Sequence, residues 1–321
     1  MRRLTPIAAF PLVVLLAACG SSDPGSTASG SDGPVPVTVA VIPIVDVAPI
    51  YLGEQQGFFE EHGIDLTLEQ QSGGAAAVPG VVAGDFQFAF GNVSSVVLAG
   101  AQDLPLRMVA EGASSTGDPS TDFGGVVVAA DSPITSPADL AGKTVAINNL
   151  KNINEITVRA MVEKAGGDPA SVKFVELGFP DMPAAIAGGK VDAAQVVEPF
   201  LTATTSQGDR LLGDNYTDAV DDLTVAAYFT SEQYLAENAD VVDDFRAAIE
   251  ESLQYAQEHP DEVRAIVPTY TKITAEVAQQ IKLPAWPQEI NVDSVQAVAE
   301  LMQKYGITSE AVDVEELLAT S

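Results

Sequence analysis

The chain has 321 residues, enough for about two domains, and its 46% hydrophobic and 19% charged composition is globular. No apolar run approaches the roughly 20 residues a membrane-spanning helix needs, which excludes a polytopic membrane protein. Forty-five acidic residues against 15 Lys plus Arg give a formal charge of −30, which repels nucleic acid, while one cysteine and two histidines rule out an intrachain disulfide or thiolate metal cluster and leave little imidazole chemistry.

Met1-Arg2-Arg3 is a basic start, and the 12 residues Ile7–Ala18 form an apolar stretch ending in Leu16-Ala17-Ala18-Cys19. This reads as a secretory leader over residues 1–18, too short to span a bilayer. Small residues before the only cysteine match a bacterial lipobox, so Cys19 is the expected lipidation site and the membrane anchor. Residues 19–35, which from Gly20 to Gly33 are almost entirely Gly, Ser, Asp, Thr and Ala with one Pro, read as a flexible tether reaching on the order of 20 Å. The expected location is therefore the outer face of the cytoplasmic membrane.

The body reads as two α/β lobes, over residues 36–124 and 125–222, with 223–321 returning to the first lobe and adding packing helices. Val37–Ile42 is a β-branched run stopped by Pro43, followed by a helix near Pro49. Ile64–Glu69, Phe86–Phe90 and Arg107–Glu111 read as further strands, with a short helix over Ala75–Ala83. Gly125–Ala130 is an apolar strand leading to Ser136-Pro137-Ala138-Asp139, a capped turn start. The series then restarts, with strands at Thr144–Ile147, Val172–Glu176 and Ala193–Val197 and helices at Asn154–Ala165 and Pro183–Ala187. Strands spaced by helices imply mostly parallel sheets covered on both faces. Val78-Pro79-Gly80 and Met182-Pro183-Ala184 echo each other, as if each opened a Pro-started turn before a strand. Leu223–Thr230 is a second apolar crossing, and two crossings permit hinge closure. Val241, Val242, Phe245, Ala248, Ile249 and Leu253, and later Val295, Val298, Leu301 and Met302, fall on helical faces.

The segments Ala48-Pro49-Ile50-Tyr51-Leu52, Gly57-Phe58-Phe59-Glu60-Glu61-His62-Gly63-Ile64-Asp65, Val82-Ala83-Gly84-Asp85, Asp139-Leu140-Ala141-Gly142-Lys143-Thr144-Val145, Gly189-Lys190-Val191-Asp192-Ala193 and Glu198-Pro199 resemble, in order, the solute-binding proteins of ABC importers for nitrate, sulfonate, taurine and thiamine-precursor pyrimidines. The resemblance runs over roughly residues 37 to 260. It implies an α/β type II periplasmic-binding-protein fold with a helical C-terminus, and a monomer that delivers a small-molecule solute to an ABC permease. The sulfonate, taurine and nitrate class is the first expectation, and a pyrimidine or other heteroaromatic solute is the alternative. From a different class, the chain would be an enzyme on the same fold, resembling the fungal thiamine-precursor synthase, or a sensory receptor. The synthase carries a cysteine cluster and a reactive histidine, and the single cysteine here, expected to be lipidated, argues against it.

Catalytic motifs are missing. Gly142-Lys143-Thr144 has the tail of a phosphate loop, but Pro137 stands where its first glycine belongs. No catalytic residue, metal site or cofactor is expected. His62 and His259 sit at helix ends, where an imidazolium suits the dipole. Ligands of open α/β sheets bind beyond the carboxyl ends of strands, which selects the loop residues there. Asp46 would accept from an amine or ring N–H, or serve as a helix-start acid. Asn92, Ser94 and Ser95 would face an oxyanion or carbonyl, or cap a helix. Asn148, Asn152 and Asn154, with Asn149 and Lys151, form the matching loop of the second lobe. Glu198 would bond a ligand or bridge the lobes, and Phe123, Phe179 and Trp286 would wall the cleft or pack. With acids at 46 and 198 and only Lys151 as a cation, a bare divalent anion suits these loops poorly.

Overall fold

The computed structural model describes residues 33–319; the leader, Cys19 and the tether to residue 32 lie outside the described residues. The chain builds two five-stranded sheets. The first has β1 (Val35–Val41), β2 (Ile64–Gln70), β3 (Phe88–Asn92), β4 (Leu106–Ser114) and the late-arriving β10 (Thr224–Ser231), in the order β2-β1-β3-β10-β4. The second has β5 (Gly124–Val128), β6 (Thr144–Ile147), β7 (Lys173–Glu176), β8 (Ala193–Val197) and β9 (Arg210–Gly213), in the order β7-β6-β8-β5-β9. β1 opens at Val35, one residue inside the stretch assigned to the tether.

The two sheets share one plan. β1 pairs parallel with β2 and β3, and β6 parallel with β7 and β8. β10 is antiparallel to both its neighbours, as is β5. Each sheet thus has four strands in one direction and a single reversed strand, and the reversed strands are the apolar runs that cross between sheets.

Helices cover the faces: α1 (Ala48–Gln56), α2 (Phe58–Glu61), α3 (Gly74–Ala83) and α4 (Val93–Gly100) on the first sheet; α5 (Ile153–Lys164), α6 (Met182–Ala187), α7 (Phe200–Thr205) and α8 (Asn215–Ala219) on the second. After β10 come α9 (Glu232–Glu237), α10 (Ala239–Glu258), α11 (Pro260–Tyr270), α12 (Ala275–Ala278) and α13 (Val292–Lys304). α10 buries Val242, Phe245, Ala248, Ile249, Leu253 and Ala256, a stripe at helical spacing. Its Phe245 stacks on Phe88 of β3 at 3.8 Å between ring centroids, and Gly53 of α1 lets the helices meet: a Cβ there would fall 1.9 Å from Ser252 Oγ. The echo between the two Pro segments is only partial. Pro183 lies in the first turn of α6, but Pro79 sits inside α3, whose start is set by Gly73 and Gly74.

The larger apolar core runs from the first sheet into the second, and a smaller one, with Val126, Leu140, Val145, Val158 and Met161, lies on the far face of the second sheet. Both crossings leave the first sheet side by side, because Thr224 pairs with Ser114. Glu111, 1% exposed, clamps them: its carboxylate accepts from Ser114 Oγ at 2.9 Å and Thr224 Oγ1 at 3.2 Å. Burial outweighs these hydrogen bonds and pushes its pKa up to about 8. In the outgoing crossing, buried Asp122 accepts from Ser115 Oγ, Thr116 N and Phe123 N, which fixes the turn that starts β5.

Candidate functional site

The carboxyl ends of the strands in the two sheets meet, and the polar loops beyond them face one another. After β1, a 3-10 turn over Val45–Val47 carries Asp46 inward to 1% exposure. Its main-chain carbonyl accepts from Trp286 Nε1 at 3.2 Å, while its side-chain Oδ1 has no hydrogen-bond partner among the described residues. Burial, opposed by its own backbone amide and reinforced by the charge of Asp122, raises its pKa to about 7. The phenols of Tyr216, Tyr228 and Tyr270, held high chiefly by burial, are each pushed further by the Asp46 charge. The Tyr228 hydroxyl is also unpartnered among the described residues.

At the end of β3, Asn92 is the N-cap of α4, and Ser94 and Ser95 occupy its first turn; Ser94 is fully buried with its Oγ unpartnered. The start of α3 presses on the same spot: a Cβ at Gly74 would lie 2.7 Å from Gly91 Cα and 3.3 Å from Asn92 N and Ser95 Oγ. From the second lobe, Asn152 caps α5 by accepting from Asn154 N at 3.1 Å and Glu155 N at 3.3 Å. Its amide then donates to Asn148 Oδ1 at 2.6 Å and reaches Asn92 Oδ1 across the junction at 3.5 Å. Asn154 Nδ2 also donates to Asn148 Oδ1, at 2.8 Å, and Tyr216 OH donates to Asn154 Oδ1 at 2.7 Å. A chain of amides therefore runs from Asn92 through Asn152, Asn148 and Asn154 to Tyr216. The amino ends of α3, α4 and α5 converge on it.

Glu198 has a different geometry. Its carboxylate, fully buried, accepts from Thr202 N at 3.0 Å, Thr202 Oγ1 at 2.7 Å and Lys282 N at 3.2 Å, and its carbonyl accepts from Val45 N at 3.0 Å. These partners tie the end of β8 to the loop after β1 and to the segment after α12. Lys151 is exposed, with its main-chain N–H on Glu155 Oε2, and Phe123 packs on Tyr216. No lysine or arginine is among the buried polar side chains of the described residues. Tyr216, Tyr228, Tyr270 and Gln195, whose buried Oε1 is unpartnered, were not among the sequence candidates.

Gly73 lies close against Asn149 of the second lobe. A Cβ there would fall 1.7 Å from Asn149 Oδ1, yet its φ of 174° is extended backbone that any residue adopts. Gly73→Val should therefore hold the lobes apart sterically without backbone strain. The expected result is a larger radius of gyration in small-angle scattering and, on the receptor reading proposed below, roughly tenfold or weaker solute binding as a closed form loses population. An unchanged radius and affinity would remove this contact from closure.

Two mixed α/β sheets joined by two crossings, with polar loops facing at their junction, define a type II periplasmic-binding-protein fold. The chain belongs to the NMT1/THI5-like family, whose profile matches residues 44–263. It is 27% identical over 225 residues to the formylaminopyrimidine-binding protein of Halalkalibacterium halodurans, a match covering 68% of this chain and 65% of that relative, a little under two thirds of its length. The structure of the alkanesulfonate-binding protein SsuA from Xanthomonas axonopodis pv. citri, bound to MOPS, superposes with a TM-score of 0.78 at 18% identity, over 91% of this chain and 100% of that one. The nitrate-binding protein NrtA from Synechocystis PCC 6803 gives 0.74 at 15% identity, over 88% and 84%.

Proposed function

We propose that this chain is the monomeric receptor of an ABC importer, tethered through a lipid on Cys19 outside the cytoplasmic membrane, which closes on a small solute and hands it unaltered to a permease. The solute is a neutral or amphoteric molecule with N–H donors, an aminopyrimidine before a nitrate or simple sulfonate. The observation that carries this reading is Asp46: a buried carboxylate oxygen without a partner among the described residues is costly unless a ligand donates to it. The absence of a buried lysine or arginine among the described residues disfavours nitrate, which has no N–H to offer Asp46. The formylaminopyrimidine-binding relative supports the aminopyrimidine class.

A second reading, a taurine-like amino sulfonate, is supported by the convergent amino ends of α3, α4 and α5, which hold anionic oxygens without a salt bridge. Its ammonium would then satisfy Asp46. The test is a thermal-shift panel of an N-formyl aminopyrimidine, taurine and nitrate, with mass spectrometry of each probe after incubation. The preferred class at about 100 times its Kd should add about 2.7 kcal/mol. Stabilisation by nitrate without the pyrimidine, or consumption of the probe, would overturn the reading.

A further inference from the structure

Both lobes contribute to an apolar cavity of about 220 Å³, lined by Ile42, Pro43 and Ile44 after β1 and by Phe179, Pro180 and Phe200 of the second lobe. Phe179 and Phe200 stack with centroids 6.1 Å apart and planes 11° apart, and Ile42, Ile44, Phe179 and Phe200 are 2%, 3%, 4% and 7% exposed. Along the chain its walls adjoin the residues of the candidate site. Ile44 stands two residues before Asp46, with its carbonyl held by Tyr270 OH at 3.1 Å. Phe200 stands two residues after Glu198, whose carbonyl takes the Val45 N–H. Ser72, also on the lining, leads directly to Gly73 against Asn149.

We infer that this cavity is a second subsite of the cleft, which receives a hydrocarbon or aryl arm carried by the solute while the polar head lies at Asp46 and the amide chain. The inference rests on the solute-receptor reading above and sharpens its solute class to an N–H-bearing head with an apolar substituent. At about 30 Å³ per carbon-sized atom, the space accommodates an arm of up to roughly seven carbons. One wall comes from each lobe, so the arm is enclosed only when the lobes meet, and burying it favours closure as well as binding. A compact ion makes no use of these walls.

The test is calorimetric titration of the full chain with 4-amino-2-methylpyrimidines bearing hydrogen, ethyl, butyl or benzyl at position 5. Affinity should rise about fourfold per added methylene until the cavity fills, with an increasingly negative heat-capacity change. Gly178, on the rim, has φ −61°, and a Cβ there would meet nothing nearer than 3.8 Å, so Gly178→Phe should fold and fill the space. That variant should erase the dependence on arm length, whatever it does to the affinity of the unsubstituted head. If the unsubstituted head binds and the series is flat, or if Gly178→Phe leaves the slope intact, the subsite is wrong while the receptor reading stands. If no member of the series binds, the head assignment fails and the subsite fails with it.

Discussion

Asp46→Asn should stabilise the ligand-free protein and at the same time weaken solute binding by between about tenfold and a hundredfold. The two effects have one origin. In the free protein the carboxylate is desolvated and its Oδ1 unpartnered, so ionising it costs folding energy; in the complex it accepts a charge-assisted hydrogen bond worth about 1.5–3 kcal/mol. The pH dependence follows from the same group. Its folded pKa, raised from 3.8 to about 7, means the folded state binds more protons than the unfolded one, so stability falls as pH rises through that window and levels off above it. Glu111 and Glu198, raised to about 8 and about 7, act with the same sign, so Asp46→Asn should flatten the profile only in part. Affinity for a neutral N–H donor should climb between pH 6 and 8 in the wild type and stay level in Asp46→Asn. Thermal melts and calorimetry across that range decide it; a destabilised variant that still binds normally would mean Asp46 is structural.

Glu198→Ala should do the opposite, costing about 2–4 kcal/mol of stability in urea denaturation while leaving the order of preference among solutes unchanged. Removing this side chain strands Thr202 N, Thr202 Oγ1 and Lys282 N together, and it cuts the tie between the end of β8 and the segment after α12. Glu198→Gln keeps one acceptor and should cost about 1–2 kcal/mol. Should Glu198→Ala retain its stability and lose solute selectivity instead, the carboxylate belongs to the ligand.

The contrast between these two acids marks the limit of what the sequence carries. Both follow strands, and from residue type and position each was open to a ligand role or a structural one. Only the third dimension supplies the partners: Thr202 is four residues on from Glu198, but Lys282 comes from 84 residues away, while Asp46 meets no donor for its Oδ1. The strands were readable because β-branched runs such as Val37–Ile42 end in clear punctuation, and Thr144–Ile147 and Ala193–Val197 have the observed bounds. The reversal of β5 and β10 was not, because an apolar run buried on both faces carries no sign of its direction. The tyrosines escaped for a related reason. Tyr228 lies inside Thr224–Ser231, a strand with every residue buried, where an aromatic residue reads as core. Asn92, Asn148, Asn152 and Asn154 were legible as polar residues beyond strand ends, but their union into one chain depends on the approach of the two lobes.

Because Thr224 lies beside Ser114 under the Glu111 clamp, and Gly213 beside Val126 where the chain leaves the second sheet, the two connections work like the paired knuckles of a door hinge. Closure about such a joint, as the proposed receptor requires, would have one axis and bring the rims together along the same arc whatever cargo lies between them. For the receptor proposed above, a downstream partner would then need to recognise the shut outline alone, and one docking surface would serve every molecule small enough to let the door latch.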